Sequence, residues 1–177
     1  MRIRKICYVV TMPTTIRSFF MSQLQYLAKH GFDVSVICAR DEKLLEDMGN
    51  GIHYIPTDIP RGISFGGSIK AVKELINIFK RVKFDLIQYS TPNAALYASI
   101  AAKIVGCKIR NYHLMGFRYL GAHGIGKSIL KTIEKVSCWN STSIECVSRS
   151  NLELGIKEKV FPAEKATVVW NGSTGGV

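Results

Sequence analysis

The sequence is poor in the features that mark redox, metal-dependent and nucleotide-hydrolysing proteins. Its five cysteines, Cys7, Cys38, Cys107, Cys138 and Cys146, are an odd number and are scattered through mostly apolar runs without a C-x-x-C pair. That pattern argues against a disulfide framework or a thiolate zinc site and fits reduced core residues of a cytosolic chain. No D-x-D pair offers the carboxylates that a hard divalent cation takes as ligands, and no Cys/His cluster replaces it. The first strand-to-helix turn, "TMPTTIR", lacks any glycine, which removes the close backbone approach that a dinucleotide pyrophosphate requires. The longest apolar stretch, "AALYASIAAKIV", is interrupted by Lys103 and falls well short of the roughly 20 residues of a membrane span. The basic start "MRIRKICYVV" leads into "TMPTT" with no small-residue cleavage pattern, so no export signal is expected, and the sequons at Asn140 and Asn171 carry no weight. Acidic residues are also few: 13 Asp and Glu against 24 Lys and Arg leave a formal charge of +11. Either an anionic partner uses that excess, whether phosphorylated substrate, acidic lipid surface or nucleic acid, or the chain is simply basic and soluble.

What is present is a globular composition, 47% hydrophobic and 21% charged over 177 residues, enough for one domain with its own core over 1–177. Strands and helices alternate. The β-branched run "KICYVV" precedes "TTIRSFFMSQLQYLAKHG", where Ile16, Phe19, Phe20, Leu24 and Leu27 share a helical face that ends at Gly31. "FDVSVICA" and "IHYIP" are strands, separated by the polar "RDEKLLEDMGN", and "TDIPRGISFGG" is loop. "SIKAVKELINIFKRV" is a helix with Ile69, Val72, Leu75, Ile76 and Phe79 inward and a basic exterior. Strand "FDLIQYS", helix "PNAALYASIAAKIVG" and strand "CKIRNYH" follow. After the aromatic and Gly-rich "LMGFRYLGAHG" come helix "IGKSILKTIEKVSCW", strand "TSIECVS", helix "SNLELGI" and strand "ATVVW". This order predicts an α/β fold with a Rossmann-like, doubly wound, mainly parallel sheet.

One stretch, "GAHGIGKS", fits the phosphate-loop pattern G-x-x-x-x-G-K-[ST]. Such a loop leaves a buried strand directly, whereas here "LMGFRYL" intervenes. Nor does an aspartate end a neighbouring strand to hold Mg²⁺: Asp85 begins its strand and "TSIECVS" ends in Ser148. An NTPase is therefore not expected.

Open α/β sheets bind ligands at the C-terminal ends of their strands. Those ends carry Thr14, Thr15 and Arg17 after the first strand and Ser90 and Thr91 after the fourth. His113 and Arg118 follow the fifth, Ser148 and Arg149 the sixth, and Asn171 and Gly172 the last. Hydroxyl, amide, imidazole and guanidinium groups suit a polyhydroxylated, phosphorylated ligand; the competing explanation is that loops are polar and Thr and Ser cap helices.

The runs "YSTPNAALYASIAAKIVGCKIRNYHLMGFRYLGAHG", "IEKVSCWNSTSIECVSRSNLELGI" and "VVWNGSTGGV" resemble the N-terminal half of family 4 glycosyltransferases, especially those that build capsular and other cell-surface polysaccharides. The resemblance implies a GT-B fold, two Rossmann-like domains across a cleft, with the N-terminal one on the acceptor side and the C-terminal one holding the nucleotide-sugar. It implies retaining transfer without a metal or other cofactor. His113 matches the family histidine that approaches the donor sugar, "TMPTTIR" the cleft-facing loop, and Asn171 and Gly172 the turn toward the second domain. The donor-binding half has no counterpart in these 177 residues, so this chain on its own is expected to be inactive. Substrate-binding roles are expected for Thr14, Thr15, Arg17, Thr91, Arg118, Ser148, Asn171 and Gly172, with a nucleotide-sugar donor and a lipid-linked glycan acceptor as partners. Two alternatives stand beside this one: a GT-B sugar-nucleotide epimerase fragment, and a non-catalytic basic module for membrane or nucleic acid. Nucleic acid is not the expected partner, because most aromatics fall at core periodicity rather than on an exposed stacking platform. Tyr112, Phe117 and Tyr119 either stack on a sugar or pack beneath the loop. His113 either bonds the sugar or satisfies a buried carbonyl, while His30, His53 and His123 are surface or loop residues. Lys127, Lys131 and Lys135 recur every four residues, forming either a stripe that faces anionic headgroups at the cytoplasmic face of the membrane or an ordinary solvated helix face.

Overall fold

The structure, a computed structural model, describes residues 4–60, 62 and 65–172. Strands β1 (Lys5–Val9), β2 (Asp33–Cys38), β3 (Ile52–Pro56), β4 (Leu86–Tyr89), β5 (Ile109–Leu114), β6 (Ser143–Cys146) and β7 (Ala166–Thr167) form one sheet. All pairings are parallel, in the order β3-β2-β1-β4-β5-β6-β7. The order reverses between β1 and β4, which is the switch point of a doubly wound sheet.

Burial on both faces explains why the central strands read as nearly continuous apolar runs. On β1, Cys7 and Val9 point into one core, while Ile6 and Tyr8 point into the other. The smaller core holds Val34, Val36 and Cys38 of β2 against the first helical segment and α3 (Glu42–Met48). That first segment is α1 (Pro13–Thr15), a π turn (Ile16–Phe20) and α2 (Met21–Lys29) in succession. The larger core lies under α4 (Phe65–Val82), α5 (Pro92–Ile104) and α6 (Gly124–Asn140). Helix α5 is packed over the middle of the sheet through Ala94, Ala95, Ala98, Ala101 and Ala102, all fully buried. Their lack of bulk lets the helix approach closely, and a helix buried on most sides is apolar on most sides.

The remaining elements are a 3₁₀ turn (Arg118–Gly121), α7 (Arg149–Lys157) and a second 3₁₀ turn (Ala163–Lys165). Two sequence-drawn boundaries move, and one side chain turns outward. Helix α4 begins at Phe65, so it takes Gly66 and Gly67 from the expected loop. Ile69 is exposed rather than inward. The last strand is two residues long, not five, because only Ala166 and Thr167 find partners on β6. All five cysteines are buried free thiols. Among the described residues no helix is long and apolar enough to cross a membrane.

Candidate functional site

The switch point places the ends of β1 and β4 side by side, and two threonines fasten them together. Thr91 Oγ1 accepts from the Thr11 amide at 3.2 Å and lies 2.8 Å from Thr11 Oγ1. Thr91 is the residue before Pro92, at the start of α5, yet its hydroxyl makes no cap to that helix. Its backbone sits at φ 69°, ψ 136°, a region that a β-branched residue enters only under constraint. The neighbouring Ser90 hydroxyl is buried and has no hydrogen-bond partner among the described residues.

His113 stands on β5 itself, one residue before its end, and is only 4% exposed. Parallel register sets it opposite Glu145 of β6, whose Oε1 is 3.5 Å from His113 Nδ1. Above the imidazole, the π turn delivers Phe20, ring centres 5.2 Å apart and nearly perpendicular; Tyr8 lies 5.6 Å from Phe20 in turn. Single π turns recur at functional sites because they redirect one side chain without ending the helix. The polar chain continues along the same sheet face. Asn111 Nδ2 donates to Gln88 Oε1 at 3.0 Å and to Glu145 Oε2 at 3.3 Å, and Ser143 Oγ donates to Asn111 Oδ1 at 2.9 Å. The His113 contact, with Asn111, holds the Glu145 carboxyl below the usual carboxylate range. A carboxylate beside Nδ1 fixes the orientation of the ring. Among the described residues no group of three or more His, Cys, Asp or Glu is placed to hold a metal ion.

The other expected site residues divide. Thr14 is exposed and Thr15 half-buried at the start of the first helical segment. Arg17 has the right edge but the wrong company for an anion: Nη1 and Nη2 meet Asp41 at 2.9 Å and Nε meets Asp47 at 2.6 Å. Its guanidinium is occupied bidentately by protein carboxylates, so it braces the π turn against the start and body of α3. Arg118 is exposed and donates weakly to Asn93 Oδ1 of α5 at 3.3 Å. Ser148 caps α7, accepting from the Asn151 amide at 3.2 Å, as the simpler capping explanation has it. Asn171 is exposed, and Gly172 adopts φ 84° with its α-carbon against the Val147 carbonyl, leaving no room for a side chain; residues 173–177 of the terminal turn lie outside the described residues. Tyr112, Phe117 and Tyr119 are buried, so they pack rather than offer a stacking surface. His30, His53 and His123 are exposed, as expected. The lysine stripe is uneven. Lys127 and Lys135 are exposed, but Lys131 lies over the Tyr119 ring at 5.6 Å and 2.7 Å from Glu158 Oε2.

Glu145 and Asn111 escaped the sequence reading, and Phe20 was read only as part of an apolar helix face. The alternation Ser-Ile-Glu-Cys along β6 was visible, but the partner of Glu145 depends on strand register, and strands distant in sequence carry no register signal of their own.

The sequence profile described as glycosyl transferase 4-like matches residues 5–148. The capsular polysaccharide biosynthesis glycosyltransferase CapM of Staphylococcus aureus is 30% identical over 178 residues, a match that takes in all of this chain and 46% of CapM. Solved structures with the same architecture include the UDP-GlcNAc 2-epimerase of Neisseria meningitidis bound to UDP-GlcNAc, with TM-score 0.70 and 15% identity over 94% of this chain and 46% of that one. MurG of Acinetobacter baumannii superposes with TM-score 0.59 at 16% identity, over 94% of this chain and 44% of MurG. The chain thus spans about half the length of the relatives it matches, and the likeness to the solved structures is one of fold.

Proposed function

The chain belongs to the glycosyl transferase 4-like family, and from that premise we propose that it is the acceptor-side domain of a retaining glycosyltransferase in cell-surface polysaccharide synthesis. The enzyme moves a sugar from a nucleotide-sugar to a lipid-linked glycan at the cytoplasmic face of the membrane, and a second domain supplies most of the donor contacts. No metal or other cofactor is part of the proposal. The capsular role of CapM and the UDP-GlcNAc held by the epimerase support the substrate class.

The observation that carries the reading is the His113–Glu145 pair beneath Phe20, close to the switch point. Glycosyl transfer breaks the bond from the anomeric carbon to the diphosphate oxygen, which leaves with the electron pair, while an acceptor hydroxyl forms the new bond and passes its proton to the departing diphosphate. Positive charge builds on the sugar ring and negative charge on the leaving diphosphate, so fixed hydrogen-bonding groups that match this charge lower the barrier. His113 serves as such a group for the sugar and needs no role as a base. Glu145 keeps the ring from turning, and the Thr11–Thr91 clasp holds the two loops on either side of the switch point in register.

The test is transfer from labelled UDP- and GDP-sugars to a membrane lipid extract, for the chain alone and for a polypeptide that joins it to a donor-binding domain of the family. Transfer is expected only from the joined form. His113→Gln should lower its turnover by roughly one to three orders of magnitude, the scale of a lost transition-state hydrogen bond. Unchanged turnover in a folded His113→Gln variant would refute the assignment.

A further inference from the structure

Helix α6 carries apolar residues where none are needed for packing. Toward the core it turns Glu134, Ser137 and Cys138, all buried. On the far side Ile125 is 81% exposed and Trp139 76%, with Ile129 and Val136 also in solvent. At 3.6 residues per turn these four fall within a sector about 80° wide, roughly opposite the buried three. Leu120, in the 3₁₀ turn just ahead of the helix, is exposed as well. From Ile125 to Trp139 the exposed stripe runs about 21 Å at the usual rise, which is longer than scattered surface residues explain.

Charge lies along its margins. Lys135 is exposed beside the stripe. At the C-terminal end of α6, Arg110 donates both to the Asn140 carbonyl and to the Cys107 carbonyl. It thereby ties the α5–β5 turn, with exposed Lys108 in it and exposed Lys103 and Ile104 at the end of α5 just before it, to the Trp139 end of the stripe. No carboxylate of α6 is exposed, since Glu134 faces the core and is the helix's single acidic residue. A row of aliphatic residues, a tryptophan at one end, basic residues at the border and a chain with a net charge of +11 together match the boundary between headgroups and acyl chains of an anionic bilayer.

We propose that the outer face of α6 is the surface on which this chain lies against an anionic membrane, with the helix axis in the membrane plane. The expected lysine stripe is thereby revised: Lys131 is spent on Glu158 and Tyr119, and the apolar stripe, bordered by Lys103, Lys108 and Lys135, makes the contact. The Leu120–Ile125 end follows directly from β5, so it lies at the C-terminal edge of the sheet, the edge that bears His113 and Thr91. An acceptor anchored in the bilayer then meets the cleft without leaving the membrane. The choice of a bilayer as occupant rests partly on the lipid-linked acceptor proposed above.

The experiment uses the chain with Trp170→Phe, so that Trp139 is the sole tryptophan, and sedimentable vesicles of phosphatidylcholine with or without phosphatidylglycerol. Expected are co-sedimentation and a blue shift of Trp139 emission on phosphatidylglycerol vesicles, weakened by added salt and absent on pure phosphatidylcholine. Ile125→Asp with Ile129→Asp should weaken binding at least about tenfold while the melting temperature holds, because both side chains are exposed. Failure to bind anionic vesicles overturns the proposal, as does binding that the double variant leaves intact. A concentration-dependent dimer that shifts Trp139 emission without vesicles also overturns it, in favour of self-association. No sugar donor or acceptor enters this measurement, so its failure is separate from failure of the transferase assay.

Discussion

Glu134 offers the sharpest quantitative test of the core. It projects from α6 into the sheet side of the helix, 2% exposed, and its Oε1 accepts from the Tyr112 hydroxyl. Burial raises its carboxyl from 4.5 to about 7, only partly offset by that hydrogen bond. The sign follows from linkage. An acid whose folded value is raised takes its proton more firmly in the native state, so its stabilisation is complete below the unfolded value of 4.5 and fades as pH rises to about 7, above which the loss is constant. A rise from 4.5 to about 7, at 1.36 kcal/mol per pH unit, amounts to roughly 3 kcal/mol in full, most of which falls between about pH 5 and about pH 8. Glu134→Gln keeps an acceptor for Tyr112 and removes the titration. Its amide carries a fixed cost of about 1 kcal/mol for donors placed in the core, but that cost is the same at both pH values and cancels. Urea denaturation of both proteins should therefore show the variant gaining on the parent by about 2–3 kcal/mol from pH 5 to pH 8. The groups that titrate elsewhere are common to both and cancel too. A gain below about 1 kcal/mol would mean that Glu134 ionises near its ordinary value, and the burial argument would fail.

Three other perturbations have definite expected signs. Thr91→Ala keeps the strained φ of 69° and loses both bonds to Thr11, whereas Thr91→Gly loses the bonds but relaxes the backbone; calorimetry should find the glycine variant more stable than the alanine one by about 1 kcal/mol. Asp41 bonds Arg17 and caps α3 through the Leu44 amide, and the Arg17 bond chiefly lowers its carboxyl from 3.8 to about 2. Its stabilisation is present above pH 3.8 and is lost as pH falls through about 2, so the denaturation midpoints of Asp41→Asn and the parent should converge across that window and stay apart above it. Gly155 is in contact with the ring of Phe161, which is buried and stacks on Phe117, and a methyl there would overlap that ring. Gly155→Ala should cost about 1–3 kcal/mol in urea denaturation, and Phe161→Leu in the same chain should recover part of the loss.

The legible features were those written in local periodicity. Alternating apolar strands and amphipathic helices specified a doubly wound α/β domain, because both faces of a parallel sheet must be covered and the covering helices come between the strands in the chain. Helix α6 shows where local reading stops. Its spacing of Lys127, Lys131 and Lys135 suggested one charged face, yet Lys131 bends to Glu158, a residue of the turn after α7 that no helical periodicity connects to it. The same helix has apolar residues on both sides, so its pattern cannot say which side meets the core. Arg17 is a similar case: its place after β1 was legible, but the two carboxylates that occupy it come from the far side of β2.

His113 was legible from sequence as one of several polar residues at predicted strand ends, and it was the family resemblance that set it apart from the others. Its surroundings were not. Glu145 stands opposite it through the register of β5 and β6, and Phe20 lies over it through a π turn near the other end of the chain. The sequence by itself determined the class of fold, the strand ends that carry the candidate site residues and the scattered, buried cysteines, since each follows from patterns a few residues long. Only the tertiary structure decided which charges are spent on one another, which histidine is braced by a carboxylate and which apolar face is left bare, because those outcomes depend on pairings between residues tens of positions apart.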